Sequence, residues 1–296
     1  MISFSPITLD NIHQLCPYIL GQPYRTCDYT IGAIFEWRAY FRSVFAIVSD
    51  MLVMRAEYPG EGSYYIYPVG FGNLADALST IEQDAAESGR RLIFSAVPEE
   101  SLTVLRARYG NDCEISSRRD WADYLYQMED LINFPGKRYH TQRNHLNRFL
   151  KDNEDSRFVP VTAETLPLAQ AFLNDYAQHV PVDKNIEAEE MIRSKELLAD
   201  ALTLGQKAGY IEAGGIIVAL AVGEIVADTL YVHVEKARVD YAGAYQAIVS
   251  QFAAFAAEPN TKFINREDDS GEEGLRYSKL AYRPIRMIEK YWVTIK

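Results

Sequence analysis

The order of β-rich and helical segments constrains this chain most, because the same order runs along it twice. In the first half, residues 44–48, 52–56 and 63–69 are rich in β-formers, and the turn residues Ser49-Asp50 and Pro59-Gly60-Glu61-Gly62 separate them. An amphipathic helix follows over 74–87, with Leu74, Leu78, Ile81 and Ala85 at helical spacing, and Gly89 ends it. A strand at 92–97, a helix at 99–109 closed by Gly110, and strands at 113–117 and 124–128 complete this half; residues 9–20 and 35–41 read as helical ahead of it. The second half predicts a strand at 158–161, helices at 166–179 and 187–206, and a hairpin of 210–213 with 216–226 around Gly214-Gly215. A strand at 229–235, a helix at 245–257, a strand at 262–266, a helix at 273–281 and a strand region at 287–295 follow. Strands this short need a shared sheet and covering helices. The predicted class is therefore α/β, with two successive domains, each a mixed, mostly antiparallel sheet with helices on both faces. The expected division is 1–135, a basic linking helix at 136–155, and 156–296.

Composition narrows the function. At 48% hydrophobic and 24% charged residues the chain is ordinary for a globular protein. No apolar run nears the roughly 20 residues that span a bilayer. The start, MISFSPITLDN, has neither a basic region nor a long apolar stretch, so a cytoplasmic protein is expected. Cys16, Cys27 and Cys113 are odd in number and lack C-x-x-C spacing, which argues against a disulfide framework and a zinc site. A net charge of −11 disfavours DNA and general nucleic-acid binding. The local exception is KRYHTQRNHLNRFLK at 137–151, with five basic residues and no acid. Read as a helix, it is either a docking helix with a solvated basic face or an anion-binding face in which Lys137, Arg143 and Arg148 meet phosphates.

Three further stretches carry candidate chemistry. TLYVHVE alternates, so Tyr231, His233 and Glu235 are expected on one face of a strand and Leu230, Val232 and Val234 on the other. A polar row in a two-faced sheet is either a hydrogen-bonded edge or a cleft where His233 and Glu235 act as general base or ammonium ligand. Asp240, Gly243 and Ala244 stand just before a predicted helix, where backbone N–H groups bind anions such as a cofactor pyrophosphate. NREDDSGEEG, from Asn265, crowds acids beside Arg266; it reads either as a solvated acidic loop with a helix cap or as an arginine held by acids to receive a carboxylate or phosphate. Lys279, Tyr277 and Tyr282 follow on the next helix.

Taken together, DTLYVHVEKA, GAYQAI, NREDDSGEEGLRYSKLAYRP and EKYW, with ADYLYQMEDLINFPGKRYHTQRNHLNRF upstream, resemble the phosphatidylglycerol lysyltransferase C-terminal-domain family. The resemblance implies a tandem GNAT fold and kinship with enzymes that move an amino acid from aminoacyl-tRNA to a lipid or peptidoglycan precursor. It implies a site in the C-terminal half built from His233, Glu235 and Tyr282, with Tyr231, Asn265, Arg266, Asp268 and Lys279 around the substrate. The donor would be aminoacyl-tRNA or acyl-CoA, and the acceptor a lipid, peptide or small-molecule amine or hydroxyl. The lipid-modifying members of that family carry a transmembrane flippase, and no stretch of this sequence is apolar enough to supply one. The rival reading is a GNAT scaffold that only binds an amino acid or small anion.

Overall fold

Parallel strands need a crossover long enough to hold a helix, and this requirement organises both halves of the chain. The computed structural model describes residues 1–179 and 185–296, the side chains of the second stretch from residue 188 onward. Its strands are β1 (Ser5–Pro6), β2 (Val44–Val48), β3 (Met51–Tyr58), β4 (Gly62–Gly70), β5 (Ile93–Pro98), β6 (Cys113–Ser117) and β7 (Asp123–Gln127). They continue with β8 (Arg157–Pro160), β9 (Lys207–Ala213), β10 (Ile216–Val226), β11 (Thr229–Ala237), β12 (Phe263–Asn265), β13 (Arg286–Ile288) and β14 (Lys290–Ile295). The helices are α1 (Cys16–Ile19), α2 (Ile31–Trp37), α3 (Leu74–Glu87), α4 (Leu102–Tyr109) and α5 (Met128–Asn133), then α6 (His140–Asp152), α7 (Leu166–His179), α8 (Asn185–Ala199), α9 (Ala244–Ala256) and α10 (Glu273–Ala281).

In the first unit β2, β3 and β4 form an antiparallel meander, and α3 carries the chain from β4 to its parallel neighbour β5. Asn73 caps α3 by accepting the Asp76 N–H, and Ala77, Leu78, Ile81 and Ala85 bury the predicted stripe. In the second unit β9, β10 and β11 form the meander, and α9 crosses to the parallel strand β12. Ala244, Ala247, Ala253 and Ala256 on this helix pack with Ala219, Ala221 and Ala237 of the sheet in one core. Such small side chains let helix and sheet approach closely.

The two sheets share one order, β1-β2-β3-β4-β5-β14-β6 and β8-β9-β10-β11-β12-β7-β13. The last strand of the chain, β14, is antiparallel to both β5 and β6, while β7 pairs with β12. Accordingly, one unit is residues 1–123, 268–272 and 288–296, and the other is 124–267 and 273–287. This corrects the expected division into 1–135, 136–155 and 156–296. Residue 124 onward already belongs to the second unit, and residues 288–296 return to the first, because strand pairing overrides proximity in sequence. Nor is the basic segment a free linker: α6 buries Phe149, preceded by buried Tyr139, in the core that contains α9. Leu150, next to Phe149 in sequence, is exposed.

Candidate functional site

The site begins with an irregularity in the β10–β11 hairpin. Val222 is opposite Val234 and Gly223 is opposite Val232, so His233 is one residue too many on β11. A β-bulge of this kind bends the strand and re-aims its side chains. Gly223 permits it, since a Cβ there would lie 2.1 Å from the Tyr231 carbonyl oxygen. Residues directly opposite in a ladder share a face. Tyr231 pairs with Glu224 and Glu235 pairs with Ala221, and residues 221 and 224 of the regular strand β10 point to opposite faces. The expected row Tyr231-His233-Glu235 is therefore split: Glu235 stands on the α9 face, Tyr231 and His233 on the other.

On that other face His233 is enclosed. Its Nδ1 lies 2.7 Å from Glu267 Oε1 and its Nε2 lies 3.1 Å from Glu224 Oε1, with the ring side chain 0% exposed. A carboxylate only accepts, so both ring nitrogens must donate and the ring is an imidazolium. Burial alone would lower its pKa, but the hydrogen bonds and charges of Glu224 and Glu267 prevail and raise it to about 10. An imidazolium has no lone pair, so His233 does not serve as the expected general base. Glu267 adopts a left-handed φ of 57° and donates its N–H to Asn265 Oδ1 at 2.7 Å. The sequence reading missed Glu224; its signal was a lone acid inside the apolar run of β10.

On the α9 face Arg266 is the centre. Its Nη2 donates to Glu235 Oε1 at 2.5 Å, and its guanidinium lies 4.6 Å from the Tyr282 ring centroid and 5.9 Å from that of Tyr126. Burial disfavours the charge, yet the charge of Glu235 and its hydrogen bond hold the pKa above its ordinary value. Burial pushes the Tyr282 hydroxyl up, so it keeps its proton at neutral pH. Arg266 Nη1 is buried and has no hydrogen-bond partner among the described residues. Lys279 is buried: its Nζ donates to the Arg266 carbonyl at 2.6 Å, and its own carbonyl accepts from Tyr126 Oη at 2.8 Å. It positions the strand end that carries Arg266.

The remaining candidates lie elsewhere. Gly243 has φ 89° and starts α9, and a Cβ there would fall 2.2 Å from the His145 carbonyl oxygen of α6. The glycine thus serves helix packing, and the Ala244 N–H donates to Tyr241 O. Asp240 is exposed and pairs with Arg238. These three residues do not form the expected open pyrophosphate cradle. Arg143 spends Nη1 on the carbonyls of Phe134 and Gly136, at 2.6 and 2.9 Å, beyond the end of α5. Arg148 pairs with Asp152 on the surface, and Lys137 is exposed. Tyr277 is 79% exposed, Tyr231 and Asn265 are buried, and Asp268 belongs to the first unit, where it faces Lys290. Among the described residues no group of His, Cys, Asp and Glu is arranged to hold a metal ion, and no helix is long and apolar enough to cross a membrane.

Comparison with known proteins agrees with this architecture. A conserved protein of unknown function from Bacteroides thetaiotaomicron superposes with a TM-score of 0.94 at 30% identity, covering 100% of both chains. L-PGS from Bacillus licheniformis has the same fold, with a TM-score of 0.70 at 14% identity over 100% of this chain and 94% of that one. An uncharacterized protein of Mycoplasmoides gallisepticum is 25% identical over 178 residues, which are 58% of this chain and 56% of that protein, so the match spans little more than half of this curated relative. The sequence pattern of the family described as phosphatidylglycerol lysyltransferase, C-terminal, matches residues 23–294, and the chain belongs to that family.

Proposed function

We propose that this chain is an aminoacyltransferase domain that moves an aminoacyl group from aminoacyl-tRNA to an amine or hydroxyl acceptor. The observation that carries the reading is Arg266, a buried arginine with one donor nitrogen unmatched among the described residues. A donor in a water-poor site stabilises the oxygen on which charge develops during acyl transfer. In this reading the acceptor attacks the ester carbonyl, and its oxygen takes the negative charge against Arg266 Nη1. Glu235, bonded to Nη2, receives the proton that the acceptor loses. As the C–O bond of the ester breaks, Tyr282 gives its proton to the departing ribose oxygen. Family membership favours an aminoacyl ester as donor. The packing of Gly243 on α6 weighs against acyl-CoA. Lys137, Arg148 and Lys151, exposed around α6, offer charge for tRNA phosphates at some distance from the buried chemistry.

The test is transfer from labelled aminoacyl-tRNAs to amine and lipid acceptors by the purified chain and its Arg266→Lys and Tyr282→Phe variants. Arg266→Lys is expected to lower kcat by about 10²–10³ with KM little changed. If the parent binds an amino acid or small anion but transfers nothing from any aminoacyl-tRNA, the protein is a binding module and the transferase reading fails.

A further inference from the structure

A second buried cluster lies wholly within the first unit and takes no part in the proposed transfer. Lys290, the first residue of β14, is 2% exposed. Its Nζ lies 2.7 Å from Asp123 Oδ1, 3.1 Å from Asp28 Oδ2, 3.5 Å from Asp268 Oδ2 and 3.2 Å from Cys27 Sγ. Asp123 grips both partners: its Oδ2 accepts the Cys27 N–H at 2.7 Å, and its Oδ1 lies 3.6 Å from Sγ. Thiol and amine are thus held in contact by one fully buried carboxylate, in a place where neither can turn away. Burial raises the Asp123 carboxyl, opposed by the charge of Lys290, to about 6. Fixing two reacting groups in contact replaces a bimolecular encounter with an intramolecular one, a gain of several orders of magnitude in effective concentration.

We propose that Cys27 and Lys290 form a reversible S–O–N crosslink with dioxygen, an oxidative modification site outside the transfer chemistry. As the N–O bond forms, the ammonium gives up its extra proton to Asp123, which lies 2.7 Å away. The S–H bond and one N–H bond then break, S–O and O–N bonds form around one oxygen atom, and the second oxygen leaves as water with both hydrogens. Sulfur and nitrogen each lose two electrons, which together reduce one O2. Two dithiol molecules, each oxidised to its disulfide, supply the four electrons and four protons that return thiol, amine and water. The crosslink removes the permanent charge of Lys290, so Asp28, Asp123 and Asp268 lose their counterion at the same step. It also ties residue 27 covalently to the start of β14. The site is therefore an oxygen-sensitive device that alters both the charge and the connectivity of the first unit.

The experiment exposes the folded full-length protein to air-saturated buffer, with an anaerobic, thiol-reduced sample beside it, and follows intact mass and peptide maps. The expected result is a gain of about 14 Da, one oxygen added and two hydrogens lost, reversed by dithiothreitol. It should map to a linked pair of peptides containing Cys27 and Lys290, and it should be absent from Cys27→Ser. A gain of about 16 or 32 Da on Cys27 alone would mean simple climbing of the thiol oxidation ladder and would overturn the proposal. So would an unchanged mass at these two residues after prolonged exposure. Because the parent's own peptide map carries the decision, the outcome does not depend on whether a variant folds.

Discussion

Lys290→Met is the perturbation that tests most sharply how the first unit is held together. The substitution keeps the volume of the side chain roughly constant and removes one positive charge from among three carboxylates, of which Asp123 is 0% exposed. Breaking a buried ion pair by deleting one partner costs about 3–5 kcal/mol, since the remaining charge is left in a low-dielectric setting. With a shift of roughly 2–4 °C per kcal/mol for a unit of this size, the midpoint should fall by roughly 6–20 °C. The sign of the pH dependence follows from the carboxyls. A carboxyl raised above its unfolded value favours folding only while protonated, and its contribution is lost as pH rises through the folded value. Asp123 is already raised to about 6 in the parent. Without Lys290 the Asp123 carboxyl should rise further, so the deficit should be larger at pH 8 than at pH 5. Lysine itself adds no slope in that window, because the charges of Asp123 and Asp28 outweigh burial and hold its pKa well above the ordinary value. The readout is denaturant unfolding followed by tryptophan fluorescence at both pH values. Trp37, Trp121 and Trp292 are the three tryptophans of the chain and all lie in this unit. A loss under about 1 kcal/mol, or one that does not change between the two pH values, would refute the idea that Lys290 neutralises a buried acid cluster.

His233 should show both ring N–H protons by NMR at pH 8, because its raised pKa keeps the folded imidazolium until pH approaches about 10. The stability it contributes is present below the unfolded value and disappears as pH rises through the folded one; a ring titrating near its ordinary value would disprove the doubly bonded arrangement. Gly243→Ala should cost at least 1–3 kcal/mol in urea unfolding, since it adds a left-handed alanine to a clash with the His145 carbonyl. Gly223→Ala should disrupt the bulge, seen as loss of the protected His233 ring N–H signals, because its Cβ would meet the Tyr231 carbonyl. An unchanged spectrum would show that the bulge tolerates a side chain.

Much of the element order was legible because its signals are local. Residues 74–87, 113–117, 166–179, 216–226 and 273–281 are bounded as expected, each by turn chemistry or a change of period within a few residues. The predicted helix at 187–206 instead ends at Ala199, and Leu202 is exposed rather than core. The short helix α5 escaped notice because six residues carry too little periodicity to read. The choice of β11 and β12 as bearers of polar side chains was also available from sequence, since Tyr, His, Asn and Arg are costly in a covered sheet unless something receives them.

How those polar residues combine was not available. Strict alternation put Tyr231, His233 and Glu235 on one face, and only the pairing with β10 reveals the extra residue that separates them. The same non-local pairing gives β14 to the first sheet and β7 to the second. A glycine before a helix looks alike whether it admits a phosphate or a neighbouring helix, and the His145 carbonyl makes Gly243 the latter. Lys290 showed nothing of its burial among three aspartates drawn from distant parts of the chain. By itself the sequence determined the class, the doubled order of elements and the family resemblance, because these depend on residue type and short spacing. Tertiary structure alone decided which face each side chain takes, which strand completes each sheet and which groups keep their protons, because all three depend on neighbours remote in sequence.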